Sequence, residues 1–377
     1  MTDTAIVRYG EIGTKSNTVR KQMIQTLRQR IEERIEHEGL EYDKVSTRQG
    51  RIVAHTEQAE KTAEILKKVP GVKTVSPAEK TEPEIEPIKK ASENFDYGET
   101  FGVDPNTGNT ELSTPEIAEE IGSHVQEFTG AEVDLDEPDT WLGVDVREDE
   151  AYVFTEIFEG PGGFPTATEG TYAALISGGI DSPVAAYQMM TRGADILPIY
   201  FYNKPIAAED HLMRFKASVR KLKKFHPSKK WKALIIDMEK VIEELMEVER
   251  GRMVLHREIM FRVVEKIAEE RDLEGLVTGE SLGQKSSQTS SNLEMTSSSI
   301  SKPVMRPLLT RDNNSISEEA RRIGTFEEAE INSACRSISP DNPATILDRE
   351  RLENLREAVN VEELVEKAFD SKEEITL

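Results

Sequence analysis

A chain of 377 residues suggests two to three domains and is long enough to bury a sizeable core. Its 71 acidic residues against 48 basic ones leave a net charge of −23, which fits a surface built for high salt, where the Debye length is only about 3 Å and net charge does not forbid a nucleic-acid partner. The single cysteine, Cys335, excludes an internal disulfide and any zinc or iron–sulfur site made from this chain's cysteines alone.

The first eighty residues alternate between strand and helix patterns. Strands are predicted at 5–9, 42–47, 51–55 and 71–76, and helices at 18–38 and 58–69. The order βαββαβ is that of a ferredoxin-like split, an antiparallel sheet backed by two helices. The first helix places Met23, Ile24, Leu27, Ile31 and Ile35 on one face as core. Arg20, Lys21, Arg28, Arg30 and Arg34 lie elsewhere on it, as a solvated face or a partner contact.

Residues 81–87 are rich in Pro and Glu and read as a linker. From Glu82 to Glu169 there are 24 acidic residues against Lys89, Lys90 and Arg147. This second, acidic domain (81–168) is mixed α+β: a helix through Phe95, a strand at 100–103, a helix at 115–128, and strands near 131–135, 141–146 and 151–157. A stiff Gly/Pro turn at 160–165 closes it.

From residue 169 to 345 the rhythm becomes strand–helix–strand, which implies a parallel sheet covered on both faces, with ligands off the carboxyl ends of the strands. Strands are expected at 173–176, 196–202, 231–237 and 275–278, and helices at 184–192, 211–225 and, as one long stretch, 239–270. The Ser/Thr-rich segment 285–301 reads as a mobile loop, and residues 346–377 as a charged helical tail. No apolar run approaches membrane length, and Met1-Thr2-Asp3 does not begin a secretion signal. A soluble, cytoplasmic protein from a salt-loving source is therefore expected.

The most informative junction follows the first strand of that sheet, Ala173-Ala174-Leu175-Ile176. There Ser177-Gly178-Gly179-Ile180-Asp181-Ser182-Pro183 leads into a helix. A strand ending in Ser-Gly-Gly, with Ser182 as helix cap and Pro183 at the first helical position, would aim backbone N–H groups and a helix dipole at an anion. The glycines let main chain approach phosphate, and Asp181 can hold the Mg²⁺ of a triphosphate. The pattern S-G-G-x-D-S resembles the pyrophosphate loop of enzymes that cleave ATP between its α and β phosphates; an ordinary Gly-rich turn is the competing reading.

Four other features need weighing. Ten Lys/Arg against Glu209 and Asp210 lie between Lys204 and Lys232. This island, with Lys216, Arg220, Lys221, Lys223 and Lys224 at its centre, fits an RNA backbone or a solvated helix. Gly279-Glu280-Ser281-Leu282-Gly283 imitates a hydrolase elbow, but all six histidines precede Ser281, the wrong chain order for that chemistry. Tyr9–Ser16 imitates a Walker loop without a glycine before its lysine. Cys335 stands in a polar loop beside Arg336, which favours thiolate and leaves both filler and nucleophile or sulfur carrier open.

Val7–Ile12, Gly162–Pro165, Ser177–Pro183, Leu276–Gln284, Ser287–Thr289, Arg306–Leu308 and Arg322–Thr325, in this order and spacing, resemble the tRNA 4-thiouridine synthetase (tRNA uracil 4-sulfurtransferase) family over roughly the first 345 residues. The resemblance implies an N-terminal ferredoxin-like domain (1–80), a THUMP domain (81–168) that holds the tRNA acceptor end, and a parallel-sheet pyrophosphatase-loop domain of the adenine nucleotide alpha hydrolase kind (169–345). It implies ATP and Mg²⁺ as cofactors and adenylation of the C4 oxygen of uridine 8, with release of pyrophosphate and then of AMP as sulfur enters.

On the same ground, Leu175, Ile176, Ser177, Gly178, Gly179, Asp181 and Ser182 are expected around the nucleotide. Tyr200 and Phe201 would flank adenine, Arg257, Gly279 and Gln288 would contact ATP, and Cys335 would handle sulfur. Two departures stand out. Asp104–Gly108 replaces the family's basic residues after the first THUMP strand. Asn313 replaces a lysine usual after Asp312, leaving a phosphate contact to Arg311 or to nothing.

With no second cysteine and no rhodanese domain, both the sulfur donor and the resolving thiol are expected from outside, the donor as sulfide or as a persulfide-carrying cysteine desulfurase or rhodanese-like protein. A homodimer and a role in thiamine thiazole synthesis are left open. The competing functions are another loop ATPase that amidates or thiolates a small molecule, and a non-catalytic tRNA-binding module.

Overall fold

The computed structural model describes residues 2–205, 209–248, 251–284, 288–330 and 349–377. It forms two compact units, residues 1–165 and 166–377.

The first unit contains β1 (Thr4–Arg8), α1 (Asn17–Glu38), β2 (Lys44–Arg48), β3 (Arg51–His55), α2 (Ala59–Leu66), β4 (Thr74–Thr81), α3 (Ile85–Ser92), β5 (Thr100–Thr107), α4 (Thr114–Thr129), β6 (Glu132–Val133), β7 (Thr140–Val146), β8 (Ala151–Phe154) and β9 (Phe158–Glu159). The βαββαβ order expected from the sequence is present, with β1 antiparallel to both β3 and β4. In α1, Met23, Leu27, Ile31 and Ile35 recur every four residues and are buried, and Gly39 ends the helix at φ +69°. The α1 cations mostly pair at home: Arg28 with Glu32, Arg30 with Glu33, and buried Arg34 with Glu38.

The linker expected at 81–87 is a join within regular structure. β4 runs through Thr81 and pairs with β8 at Glu79, Lys80 and Thr81, so the sheet continues without a break in the order β2-β3-β1-β4-β8-β7-β5-β6. The strand ends at Thr81, two residues before Pro83, which lacks a ladder donor, and α3 begins at Ile85. Farther along, α4 is opened by a capping box between Ser113 and Glu116.

The second unit contains β10 (Thr171–Leu175), α5 (Asp181–Thr191), β11 (Asp195–Tyr202), α6 (Glu209–Leu222), β12 (Lys232–Asp237), α7 (Glu239–Met246), α8 (Arg252–Arg271), β13 (Gly275–Val277), α9 (Ser290–Ser297), β14 (Val304–Met305), α10 (Asn313–Ile323), α11 (Phe326–Glu330), α12 (Arg349–Ala358), α13 (Val361–Asp370) and β15 (Glu373–Thr376). Its sheet runs β14-β13-β10-β11-β12-β15. The first five strands of that order are parallel, with one apolar cluster on each face.

Three expectations change here. The stretch 239–270 is two helices, with Gly251 at φ +88° opening the second. The Ser/Thr-rich segment holds α9, whose Thr296 and Ser297 hydroxyls return bonds to Asn292 and Leu293 carbonyls while Leu293 and Met295 are buried. The segment read as a tail is built into the unit: β15 pairs antiparallel with β12, and Val361, Leu364, Val365 and Ala368 are buried. Its charges meet α8 across Lys266–Glu366, Arg271–Glu374 and Lys372–Glu270. Among the described residues no helix is long and apolar enough to cross a membrane.

Candidate nucleotide site

β10 is paired on both sides, so its carboxyl end is fixed. Beyond it the Ile176 amide still bonds the Ile199 carbonyl at 2.9 Å. The chain then turns through Ser177, Gly178 and Gly179 into α5. Ser182 is one residue inside the helix rather than its cap; Ile180 precedes the helix, without a side-chain capping bond. The Ser182 hydroxyl instead reaches back, accepting from the Ser177 amide at 2.8 Å and lying 3.0 Å from the Ser177 Oγ. Ser177 Oγ in turn accepts from the Gly179 amide at 3.2 Å. The two hydroxyls thus tie the loop closed, and the first turn of α5, uncapped by a side chain, faces the loop.

Gly178 has a steric reason. A Cβ there would stand 3.2 Å from Arg214 Cβ and 3.4 Å from the His211 carbonyl oxygen, both on α6. Gly279 has a stronger one, because a Cβ would lie within 2.8 Å of main-chain atoms of Asp181 and Ser182. It lets the turn after β13 press against the start of α5.

Two cavities meet at this loop. A cavity of ≈ 550 Å³ is lined by the expected Ser177, Gly178, Gly179 and Asp181, with Arg214, Gln284 and Asn313 among the others. A pocket of ≈ 150 Å³ is lined by Leu175, Ile176, Tyr200 and Phe201, together with Asn203, His256 and Met260. Ser177, Gly178 and His211 border both. The smaller space suits a flat apolar group and the larger a polar, anionic one.

Tyr200 and Phe201 are adjacent on a strand and so point to opposite faces of the sheet. The Tyr200 ring stacks on Phe215 at 5.0 Å, and Phe201 joins the core against α8. They border the pocket together but cannot both stack on one base. His256 Nε2 lies 3.0 Å from Asn203 Oδ1, and burial pushes this histidine down to about 4.

Neither cavity is lined by Arg257, Gly279 or Gln288. The Arg257 guanidinium is bound to Glu280 and, chiefly through burial, has its pKa lowered. Glu280 is the hub of this region. Nearly buried, it also accepts from Arg306 Nε at 2.6 Å and from the Thr278 hydroxyl at 3.0 Å. From this hub the turn is pinned outward: Ser281 Oγ donates to the Arg311 carbonyl at 3.0 Å, and Gln284 Nε2 to Asn313 Oδ1 at 2.8 Å. Gln288 is buried, and its Oε1 has no hydrogen-bond partner among the described residues. Arg311 is bound to Glu319 and to the Ser315 carbonyl and is not among the residues lining the cavity.

The basic island is partly used up by the unit itself. Lys221 pairs with Glu328 at 3.4 Å, Lys223 donates to the Leu377 carbonyl, and Lys232 pairs with Glu374 at 2.7 Å. Arg220 and Lys224 are exposed, and Lys216 is half-buried. Cys335 lies outside the described residues. Sequence reasoning missed Arg214, His256, Asn203 and the Glu280 hub. Arg214 had a legible signal, since Arg214, Phe215, Ser218, Val219 and Leu222 share one buried face of α6 at three- and four-residue spacing.

Three family models match the chain: a ThiI ferredoxin-like domain over residues 4–76, a THUMP domain over 87–156, and the family described as Thiamine biosynthesis protein (ThiI) over 167–361. A probable tRNA sulfurtransferase of Halobacterium salinarum is 35% identical over 354 residues, 91% of this chain and 90% of the relative. One from Methanobrevibacter smithii is 33% identical over 382 residues, 98% and 99% of the two chains. Among solved structures, a 4-thiouridine synthetase in complex with RNA and bound ATP superposes with a TM-score of 0.88 at 32% identity, each chain covered in full.

Proposed function

The chain belongs to the ThiI family of tRNA sulfurtransferases, and on that premise we propose that it uses ATP to place sulfur on uridine 8 of tRNA, giving 4-thiouridine. The observation that carries this reading is the junction after β10, where a small apolar pocket and a larger polar cavity share Ser177, Gly178 and His211. An adenine and a triphosphate need such a pair of neighbouring spaces.

A uracil C4 oxygen is a poor leaving group, so it is first joined to the α phosphate of ATP as pyrophosphate departs. Sulfur then displaces AMP. In this scheme Leu175, Ile176, Tyr200 and Phe201 border adenine. Ser177, Gly178 and Gly179 bring main chain to the phosphates, and the hydroxyls of Ser177 and Ser182 hold the loop in shape. Asp181 is the one Asp or Glu among the described residues lining the larger cavity. A single carboxylate beside a triphosphate is a donor set that fits Mg²⁺, which completes its shell with phosphate oxygens and water. Bound there, Mg²⁺ would offset phosphate charge. The Glu280 hub and Gly279 keep the floor of the site in place. Exposed Arg220 and Lys224, with Lys216 and what remains free of Lys221 and Lys223, offer phosphate contacts to tRNA. Cys335 carries sulfur from an external persulfide donor as its own persulfide: the outer sulfur displaces AMP from C4, and an external thiol then attacks Cys335 Sγ, releasing 4-thiouridine and leaving a disulfide between Cys335 and that thiol.

The test is direct. Full-length protein with ATP, Mg²⁺, unmodified tRNA and sulfide is expected to form 4-thiouridine, read by nucleoside mass spectrometry, with AMP and pyrophosphate in equal amounts. Cys335→Ala should retain the sulfide reaction and lose the persulfide-dependent one. Equal activity with a persulfide donor would remove Cys335 from the scheme, and tRNA-independent AMP formation with a metabolite would redirect the whole reading.

A further inference from the structure

The larger cavity is poor in positive charge for a space that is to hold a triphosphate. Of the described residues lining it, Arg214 is the one Lys or Arg. Its stem lies directly on the loop, with Cβ and Cδ 3.2 and 3.3 Å from where a Gly178 Cβ would be. Arg214 is 7% exposed, and its Nε is buried with no hydrogen-bond partner among the described residues. The carboxylate paired with it, Asp210, stands 3.6 Å away, too far for a good hydrogen bond. A guanidinium so placed is short of anionic partners. Nearby Arg311 is bound to Glu319, and Asn313, which lines the cavity, is an amide engaged with Gln284.

We propose that Arg214 is the phosphate-binding residue for the β and γ groups of ATP, and for the pyrophosphate that they become. Resting on the nucleotide reading above, this assigns the distal end of the triphosphate to α6 and the adenosine end to the pocket between β10, β11 and α8. A planar guanidinium fork matches two phosphate oxygens at once. AMP, which lacks the distal phosphates, should be indifferent to it.

Equilibrium binding of AMP, ATP and pyrophosphate to the full chain with Mg²⁺ tests the assignment. Arg214→Gln is expected to weaken ATP and pyrophosphate on the order of 10- to 100-fold, the usual scale for a charged hydrogen bond, and to leave AMP within about twofold. Retained AMP binding also reports that the variant is folded. Adding Asn313→Lys, which puts a new cation on the same cavity, should recover much of the lost ATP affinity. Arg214→Gln that binds ATP as well as the parent, or loses AMP and ATP equally, overturns the inference while leaving the nucleotide site standing. A parent chain that binds no adenine nucleotide overturns both.

Discussion

Gly279 rests on the backbone of Ser182: a Cβ at position 279 would stand 2.7 Å from the Ser182 nitrogen and 2.8 Å from its Cα. Neither atom can yield without shifting the first turn of α5, and with it the loop that Ser182 Oγ ties at Ser177. Gly279→Ala is therefore expected to cost about 1–3 kcal/mol of stability, as overpacking does, and to weaken ATP binding by about tenfold or more. Thermal unfolding and an ATP titration of the same sample check it. Parental ATP affinity in the variant would mean that the loop tolerates the shift.

Glu280 makes a different kind of support. Its carboxylate is nearly buried between the Arg257 and Arg306 guanidiniums. Glu280→Gln keeps the shape and removes the charge, leaving two cations facing each other. Breaking a buried pair this way costs about 3–5 kcal/mol, so denaturant unfolding should show a loss of that order. Glu280→Gln within about 1 kcal/mol of the parent would mean that water replaces the carboxylate.

His256 gives the site a pH dependence with a definite sign. Its Nε2 donates to Asn203 Oδ1 as a neutral ring, and burial, aided by the Arg257 charge, lowers its pKa to about 4 against an ordinary 6.5. Between those values the unfolded chain takes a proton that the folded chain refuses, so stability falls as pH falls from about 6.5 to about 4 and is unaffected above. The full effect is at most roughly 3 kcal/mol. Urea unfolding at pH 7 and 4.5 should show the parent losing more stability than His256→Gln. Parallel losses in both proteins would assign the acid sensitivity to carboxylates.

The strand–loop–helix junction was legible because its signal is local: an apolar strand, two glycines and hydroxyls within a few residues. Reading Ser182 as the cap sets it two positions too early, since Ile180 is the N-cap, for the same reason. A Ser-Pro pair is a familiar start of a helix, and only the tertiary bond from Ser182 to Ser177 reveals its other use. The Glu280 hub joins residues 257, 280 and 306, brought together by β13 pairing with β14 and packing against α8; no window of sequence contains it. Gly279-Glu280-Ser281-Leu282-Gly283 could be denied a hydrolase role from chain order, yet its bracing role needed the fold. Arg214 sat within a run of cations whose collective reading as an RNA surface obscured the one that turns inward. The segment 346–377 looked like a tail because its charges dominate its composition, while Val361, Leu364, Val365 and Ala368 carry the packing.

Gln288 offers the sharpest separation between holding the fold and holding a ligand. It is 4% exposed, and its Oε1 is buried with no hydrogen-bond partner among the described residues; an unfilled carbonyl of this kind costs about 1–3 kcal/mol. Methionine has nearly the same length and no such atom. If the amide is kept for ATP, Gln288→Met should raise the stability of the nucleotide-free protein by about 1 kcal/mol and weaken ATP binding several-fold. The two changes have opposite signs, so misfolding cannot imitate them. Calorimetric unfolding without nucleotide and an ATP titration decide the matter: a variant both more stable and equally tight for ATP would remove Gln288 from the nucleotide contacts, and one less stable would mean that its Nε2 holds the segment together.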